Sequence, residues 1–390
     1  MRAVELFTGA GGLALGLTQA GVHHDALVEW NHDACETIRL NQRNQQPQVL
    51  GWPLFETDVR TFDYQAIGKD IDIVAGGPPC QPFSLGGKHQ AYNDERDMFP
   101  EAVRAVRELK PRSFIFENVR GLTRKLFANY FSYILLQLEH PEVVRRRDEA
   151  WNDHLSRLEK HHTGGKWNGL RYRVVHRVVN AADYGAPQRR DRVIIVGFRH
   201  DLDVEWSFPD PTHSKEALWR SQWVSGEYWE RHAIAKAKRP TPPTGFSKRA
   251  SFTLEGLDTK LPWQTVRDAI GDLPPPTRQE SSRKNDHYLN PGARAYPGHT
   301  GSQWDEPAKT LKAGAHGVPG GENMLDMGPG GVRYFTVREA ARLQTFPDDY
   351  AFSGAWTEAM RQIGNAVPVV LARTAASDVY RRLAARQGNK

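Results

Sequence analysis

Cysteine is scarce in this sequence, and neither a long apolar run nor the phosphate loop of nucleoside triphosphatases occurs in it. Only two of the 390 residues are cysteine, Cys35 and Cys80, which excludes a framework of several disulfides and argues against a zinc site. No apolar run reaches the roughly 18 residues that a membrane span needs. The missing Gly-x-x-x-x-Gly-Lys-Ser/Thr motif argues against a triphosphate ligand. We therefore expect a cytoplasmic protein with one reactive thiol and no metal ion, without a membrane segment.

The charge of the chain permits an anionic partner. The net charge is +6 and the isoelectric point is about 9.2, which suits a protein that binds nucleic acid. Many soluble proteins carry such a charge, however, so the charge alone decides little. The basic residues are unevenly spread, since residues 231–249 hold six lysines and arginines and no acidic residue.

Short apolar runs alternate with helical patterns in the first half of the chain. The runs that we predict to be buried strands lie at 4–7, 26–28, 71–75, 113–116, 172–180 and 193–198. The helical patterns between them lie at 13–19, 34–41 and 98–109. This alternation predicts an α/β domain with a mostly parallel sheet. Residues 143–162 include three consecutive arginines and predict one more surface helix that docks its apolar face, with a DNA-binding arm as the alternative.

The texture of the chain changes after Arg199. Residues 200–332 are rich in proline and glycine and contain six of the eleven tryptophans, which predicts a loop-rich unit of irregular topology. Helical patterns return near residues 336, 356 and 368. We predict a discontinuous catalytic domain of residues 1–199 and 356–390, and a smaller domain of residues 200–355.

A glycine-rich turn and a pair of acidic residues predict a nucleoside site. The segment Glu5-Leu6-Phe7-Thr8-Gly9-Ala10-Gly11-Gly12 follows the first strand and opens a helix, where glycines allow a ligand to approach the backbone. Glu29 and Asp58 end or follow the next strands, where a carboxylate can accept hydrogen bonds from ribose hydroxyls and an adenine amine. Trp30 can stack on the base. A tight turn without a ligand is the alternative for the glycines.

The segment Gly76-Gly77-Pro78-Pro79-Cys80-Gln81-Pro82-Phe83-Ser84 carries the most informative cysteine of the chain. Two prolines fix the backbone before Cys80, which comes soon after a predicted strand. A lone cysteine is more often a small core residue, but one in a stiff polar loop beyond a strand is better explained as a nucleophile. Its thiol needs local help to ionise.

Two further strand ends carry charged residues. Glu117 directly follows the predicted strand run of residues 113–116. Its carboxyl is suited to hold the N3 edge of a pyrimidine. A solvated or helix-capping acid is the alternative. The segment Gln188-Arg189-Arg190-Asp191-Arg192 leads into another strand. At least one of its arginines is expected to point into the site, where its planar fork can bind a base oxygen or a phosphate.

Together these segments resemble the cytosine-5 DNA methyltransferase family, of the bacterial restriction-modification type, along most of the chain. The matching motifs are Phe-Thr-Gly-x-Gly-Gly (7–12), Glu-Trp-Asn (29–31), Gly-Pro-Pro-Cys-Gln-Pro-Phe-Ser (77–84), Glu-Asn-Val (117–119), Gln-Arg-Arg-Asp-Arg (188–192), Arg-Glu-x-Ala-Arg-Leu-Gln-x-Phe-Pro (338–347) and Gln-x-Gly-Asn-x-Val-Pro (362–368). The family order of these motifs implies an S-adenosylmethionine-dependent methyltransferase domain of Rossmann-like fold, with residues 200–355 as the target-recognition domain.

The resemblance implies a mechanism and a set of site residues. Cys80 would add to C6 of a cytosine flipped out of duplex DNA, Glu117 would bind N3 and the exocyclic amine, and Arg192 would bind O2. The positions expected to contact S-adenosylmethionine, which leaves as S-adenosylhomocysteine, are Phe7, Gly9, Gly11, Gly12, Glu29, Trp30, Asp58, Pro79, Asn365 and Val367. The positions expected to contact DNA are Ser84, Arg96, Arg190, Thr310 and Leu311.

Two rival functions share parts of this pattern. An RNA methyltransferase of the same family resembles the DNA enzymes at every catalytic position, but the loop-rich second domain favours sequence reading on DNA. A protein that binds cytosine without catalysis is the alternative from another class, and the presence of both Cys80 and Glu117 argues against it. The resemblance also implies a separate cognate restriction endonuclease and action as a monomer.

Overall fold

The computed structural model describes residues 1–68, 70–79, 97–165, 169–242, 259–277, 286–297, 299–313 and 323–386. The chain forms two compact units. The first comprises Met1–Val179, Asp191–Pro209 and Ala372–Lys390, and the second comprises Asn180–Arg190 and Asp210–Leu371.

The first unit is built around a seven-stranded sheet. Its strands are β1 (Arg2–Leu6), β2 (His23–Glu29), β3 (Leu54–Glu56), β4 (Ile73–Gly76), β5 (Ser113–Val119), β6 (Tyr172–Asn180) and β7 (Asp191–Arg199), in the order β3-β2-β1-β4-β5-β7-β6. The pairs from β3 to β5 are parallel, and β7 runs antiparallel to β5. The predicted α/β fold with a mostly parallel sheet is thus confirmed.

The central strands are buried because both faces of the sheet carry apolar side chains. In β5, six of the seven residues are buried, as expected for a strand covered on both sides. On one face Val4, Val74, Phe114 and Phe116 belong to a single core. Parallel strands end at the same edge of a sheet, so β1, β2, β4 and β5 bring their following residues to one side of the unit.

Helices that belong wholly or mostly to the first unit alternate with these strands. They are α1 (Gly12–Gln19), α2 (His32–Arg43), α3 (Phe99–Leu109), α4 (Ala128–Glu139), α5 (Trp151–Thr163) and the C-terminal α11 (Val369–Ala385). Asn31 caps α2 by accepting a hydrogen bond from the Ala34 amide at 3.0 Å. A polar side chain at this position supplies an acceptor that the first turn of a helix lacks.

The helix predicted over residues 143–162 is shorter than expected. It begins at Trp151, and the three arginines at 145–147 lie before it. The carboxylate of Glu149 accepts a hydrogen bond from the Arg146 amide and pairs with the Arg157 guanidinium. These contacts close a turn where the helix was predicted. The docking of the apolar face is confirmed, because Leu158 is fully buried in the core of the unit.

The second unit has short elements joined by long loops, as predicted. Its strands are β8 (His213–Ser214), β9 (Leu261–Pro262), β10 (Met324–Asp326) and β11 (Val332–Tyr334), and its helices are α6 (Lys215–Arg220), α7 (Glu227–Arg231), α8 (Val266–Ile270), α9 (Val337–Leu343) and α10 (Trp356–Asn365). Leu218, Tyr228 and Trp229 form a small core in this unit. Within the described ranges, no helix is both long and apolar enough to cross a membrane.

The bounds of the two units differ from those predicted for the domains. Residues 180–190 and 356–371 cluster with the second unit, although both segments were predicted to lie in the first domain, and residues 200–209 cluster with the first unit, although they were predicted to lie in the second domain. The side chains of Gln188 and Arg190 bind backbone groups of Leu343, Leu311 and Gly364. These contacts hold the two segments within the second unit. The functional assignment of each domain stays a prediction.

Candidate active site

The turn between β1 and α1 has an unusual backbone. Phe7, Gly9 and Gly11 have φ angles of 56°, 56° and 86°, in the left-handed region that favours glycine. For Phe7 this conformation costs about 1 to 3 kcal/mol. Gly11 precedes α1 and provides no side-chain cap, so the first amides of the helix have no acceptor from a capping side chain. Free backbone amides at a strand-to-helix turn are suited to a polar ligand.

Glu29 connects this turn to the end of β2. Its Oε2 accepts a hydrogen bond from the Gly9 amide at 2.8 Å, and its Oε1 accepts from the amides of Trp30 and Asn31 at 2.9 and 2.8 Å. The carboxylate is therefore held in place although it is buried. Two predicted cofactor residues, Gly9 and Glu29, thus contact each other.

Asp58 follows β3, the neighbour of β2 in the sheet. It forms an ion pair with Arg60 at 2.5 Å, and the hydrogen bond from Arg60 lowers the pKa of Asp58 below its ordinary value. Asp58 is thus an ionised acceptor at the same sheet edge as Glu29, as the strand order predicts. Two fixed acidic acceptors on adjacent strands can bind hydroxyl and amino groups of one nucleoside.

Trp30 is the exposed member of this group. Its side chain is 70% exposed, which is unusual for so large an apolar residue. Replacing Trp30 with alanine is expected to weaken binding of S-adenosylmethionine by roughly 10-fold or more, because stacking on a base contributes about 1 to 3 kcal/mol. Isothermal titration calorimetry measures this change. The matched control is Tyr296→Ala, which removes another exposed aromatic ring and is expected to leave the affinity unchanged. Equal affinity in the two variants would contradict the assignment.

Glu5 is a buried acid to which the sequence analysis gave no role. It is completely buried in β1, and its carboxyl oxygens make no hydrogen bond to any described residue. Burial raises the pKa of Glu5 well above its ordinary value. This shift favours the neutral form of the carboxyl. An acidic residue inside an otherwise apolar strand is the sequence signal that identifies it.

Glu117 and Arg192 form a buried ion pair. Glu117 lies near the end of β5 and Arg192 at the start of β7, and their Oε1 and Nε atoms are 2.5 Å apart. Both residues are less than a tenth exposed, at 7% and 8%. Burial lowers the pKa of Arg192 from its ordinary value, and the Glu117 carboxylate opposes this shift. A carboxylate and a guanidinium side by side match the donor and acceptor edge of a pyrimidine.

The loop after β4 approaches this ion pair. The Asn118 amide nitrogen Nδ2 donates a hydrogen bond to the Pro78 carbonyl at 2.8 Å, and a Cβ added at Gly77 would lie 3.5 Å from Glu117 Oε2. The Met98 amide donates to the carbonyl of the exposed Pro79. The sequence analysis gave Asn118 no role, although it stands beside Glu117 in the quoted motif. Cys80, Ser84 and Arg96 lie outside the described residues.

Arg190 has a structural role, which corrects its predicted contact with DNA. It is 1% exposed, and its guanidinium donates hydrogen bonds to the carbonyls of Leu311, Gly364 and Ala366 at 2.8, 2.6 and 3.1 Å. A side chain enclosed in this way cannot reach a phosphate. Leu311 is also 1% exposed, so the same correction applies to its side chain. Thr310 donates a hydrogen bond to the Arg189 carbonyl. Its predicted contact with DNA stays a prediction.

The replacement of Arg190 by methionine is expected to destabilise the second unit by about 3 kcal/mol or more, because three buried carbonyls each lose a charged donor. Urea unfolding of the variant measures this change. Arg189→Met is the matched control, since the neighbouring Arg189 pairs with Glu306 at a site where both side chains are about 40% exposed. That variant is expected to lose less than about 1 kcal/mol. Similar losses in the two variants would show that Arg190 does not hold the unit together.

The last quoted motif lies at the end of α10 in the second unit. A Cβ added at Gly364 would lie 2.5 Å from the Ala313 nitrogen, so only glycine allows this close approach of two backbone segments. Asn365 is exposed and Val367 is buried. Their proposed contact with the cofactor stays a prediction.

Comparisons with known proteins show the family of the chain. The family model for C-5 cytosine-specific DNA methylases matches residues 1–141 and 160–381. The Type II methyltransferase M.NgoMIV of Neisseria gonorrhoeae is 31% identical over 390 residues, with 97% of each chain covered. M.PspPI of Psychrobacter sp., also a Type II methyltransferase, is 32% identical over 383 residues, covering 97% of this chain and 79% of that relative.

Among solved structures, the Dnmt2 methyltransferase of S. pombe is similar to this chain in fold. It has a TM-score of 0.57 at 18% identity, and the alignment covers 98% of this chain and 99% of that chain. The family model spans most of the sequence, including every segment that builds the sheet edge described above. The chain therefore belongs to the C-5 cytosine-specific DNA methylase family.

Proposed function

We propose that this chain methylates C5 of a flipped-out cytosine in duplex DNA, with Cys80 as the nucleophile and S-adenosylmethionine as the methyl donor. The observation that carries the proposal is the buried pair of Glu117 and Arg192 beside the loop that leads to Cys80. Pro78 is bound by the side chain of Asn118, and Cys80 follows two residues later. Pro78, two residues before the proposed nucleophile, thus lies at the same sheet edge as the two proposed base-binding groups.

Each of the three residues has a defined task. The Cys80 thiolate forms a bond to C6 of the cytosine, which places electron density on C5. Glu117 binds N3 and the exocyclic amine, and Arg192 binds O2, so both stabilise charge that develops in the ring. After C5 has gained the methyl group, a base removes its proton and the bond to Cys80 breaks. A flipped base is required because C6 is inaccessible inside the duplex.

The donor site is proposed at the turn between β1 and α1. S-adenosylmethionine supplies an electrophilic methyl group when bound and leaves as S-adenosylhomocysteine. The residues fit such a group, because the hydrogen bond from the Gly9 amide fixes Glu29 beside the turn and the first amides of α1 have no capping side chain. Trp30 and Asp58 stand at the same edge for the adenine. Phe7, Gly12, Pro79, Asn365 and Val367 complete the proposed set, and no metal ion takes part.

The second unit is proposed to read the DNA sequence. Its loops and its aromatic core are suited to present polar side chains to base edges. Ser84, Arg96 and Thr310 are the proposed DNA contacts that remain after the corrections for Arg190 and Leu311. By analogy with the Type II relatives, the enzyme protects the host DNA against a separate cognate restriction endonuclease. We further propose that it acts in the cytoplasm as a monomer.

Methylation mapping tests this function. The purified chain is incubated with S-adenosylmethionine and unmethylated bacterial genomic DNA, and 5-methylcytosine is then mapped at base resolution. We expect methylation at one cytosine of one short sequence. Labelling of transfer RNA without labelling of DNA would move the chain to the RNA-modifying class. Absence of labelling on both would contradict the proposed enzymatic function.

A further inference from the structure

A cluster of metal-binding side chains lies apart from the proposed catalytic residues. Glu139 ends α4, His140 follows it, and His162 lies in the last turn of α5. Glu139 Oε1, His140 Nε2 and His162 Nδ1 all lie within 4.8 Å of one another. These three atoms are ligand types that a zinc ion prefers.

The spacing of the three atoms fits a tetrahedral ion. The His140 Nε2 to His162 Nδ1 distance is 3.2 Å, the His162 Nδ1 to Glu139 Oε1 distance is 3.4 Å, and the His140 Nε2 to Glu139 Oε1 distance is 3.8 Å. Bonds of roughly 2.0 to 2.2 Å around a tetrahedral zinc ion place ligand atoms about 3.3 to 3.6 Å apart. A circle through the three atoms has a radius of about 2.0 Å, so one ion can contact all three.

The surroundings of the cluster also suit a bound ion. The Arg171 guanidinium donates a hydrogen bond to Glu139 Oε1 at 3.1 Å, and such outer contacts orient ligating carboxylates in metal sites. His140 is 2% exposed whereas the His162 side chain is 40% exposed, which leaves one side open. A cavity of about 200 Å³ is lined in part by His140, His161 and Arg171, and it has room for a water molecule as a fourth ligand.

The position of the cluster in the chain indicates a structural role. The family model matches residues 1–141 and 160–381, so residues 142–159 form an insertion relative to the family. Glu139 and His140 stand before this insertion, and His162 stands after it. An ion that joins the two sides closes the loop that carries the insertion, and it stabilises the folded arrangement by binding only that arrangement.

We propose that Glu139, His140 and His162 bind one zinc ion, which fastens the two ends of the inserted segment to each other. The site is structural, and it stands independently of the proposed methyl transfer. The sequence argued against a zinc site because it has only two cysteines, and the two histidines are separated in it by the inserted segment. Without an ion, the two imidazole rings share a single hydrogen bond between Nε2 and Nδ1.

Titration of the full chain with zinc tests the proposal. The chain is purified without a histidine tag and is first treated with a chelator. Calorimetry then measures the stoichiometry and the affinity of zinc binding. The same titration in the Cys80→Ser chain removes the thiol as a competing ligand. We expect one equivalent of zinc in both chains. A zinc concentration of about 100 times the dissociation constant is expected to shift the unfolding equilibrium about 100-fold toward the folded state.

Two variants assign the bound ion to the cluster. His162→Ala is expected to lower the zinc affinity by about 100-fold or more, since even outer contacts change metal affinity by about 10- to 100-fold. It is expected to leave methyl transfer unchanged. His23→Ala is the control, because His23 is an exposed histidine on β2, and its affinity is expected to match the parent chain. The proposal is overturned if the parent chain binds no zinc, or if His162→Ala binds zinc as tightly as the parent chain does.

Discussion

Replacing Cys80 with serine is expected to slow methyl transfer by about 10⁴-fold or more, the range seen when a covalent nucleophile is removed. A serine hydroxyl stays protonated at neutral pH, whereas a cysteine thiol is far more acidic and its thiolate is the stronger nucleophile. Single-turnover assays with duplex DNA and labelled S-adenosylmethionine measure the rate. DNA binding by the variant is expected to remain, because the side chain differs by one atom.

Cys35 supplies the matched control for this experiment. It is completely buried, and burial, aided by the nearby Glu29 carboxylate, raises the pKa of the Cys35 thiol to about 12. A thiol with such a pKa carries almost no thiolate at neutral pH. Cys35→Ala is therefore expected to retain methyl transfer to within a few fold. A normal rate in Cys80→Ser would contradict the assignment of the nucleophile.

Replacing Glu117 with glutamine is expected to lower the rate of methyl transfer by about 10²- to 10⁴-fold. Glutamine keeps the shape of the side chain but removes the carboxyl group that is proposed to bind N3 and the exocyclic amine of the base. It also leaves the buried Arg192 guanidinium with a neutral partner, which is expected to cost about 1 to 3 kcal/mol of stability. The rate is measured under single-turnover conditions and the stability by urea unfolding.

Glu149→Gln separates these two effects. Glu149 also forms an ion pair, with Arg157 at 2.7 Å, and the hydrogen bond from Arg157 lowers its pKa to about 2. It lies in the inserted segment and has no proposed catalytic task. This variant is expected to lose stability while keeping its rate per folded molecule. If Glu117→Gln behaved in the same way, its role would be structural.

Much of the fold and of the sheet edge could be predicted from the sequence because local patterns determine them. Apolar runs of three to nine residues separated by helical patterns are sufficient to predict a mostly parallel sheet. A parallel sheet then brings the residues after its strands to one edge. The contact between Gly9 and Glu29 follows from this geometry, as does the approach of Pro78 to Asn118.

The roles of neighbouring arginines could not be predicted, because they depend on distant partners. Arg190 and Arg192 are two residues apart, yet Arg190 binds carbonyls 121 and 174 residues further along the chain, whereas Arg192 pairs with Glu117. Only the folded chain shows which carbonyls surround each guanidinium. The same long-range contacts place residues 180–190 in the second unit, which no local composition change signals.

The measurement that tests the central claim most directly is a covalent trap with duplex DNA that carries 5-fluorocytosine at the mapped site. A base can remove the hydrogen on C5 as a proton, but it cannot remove fluorine from that position. The covalent adduct with the enzyme therefore persists after methyl transfer. We expect a complex that survives denaturation, with the modified peptide of residues 77–84 joined to the base through Cys80, and no complex in Cys80→Ser. A stable complex through another residue, or efficient turnover without any adduct, would contradict the account.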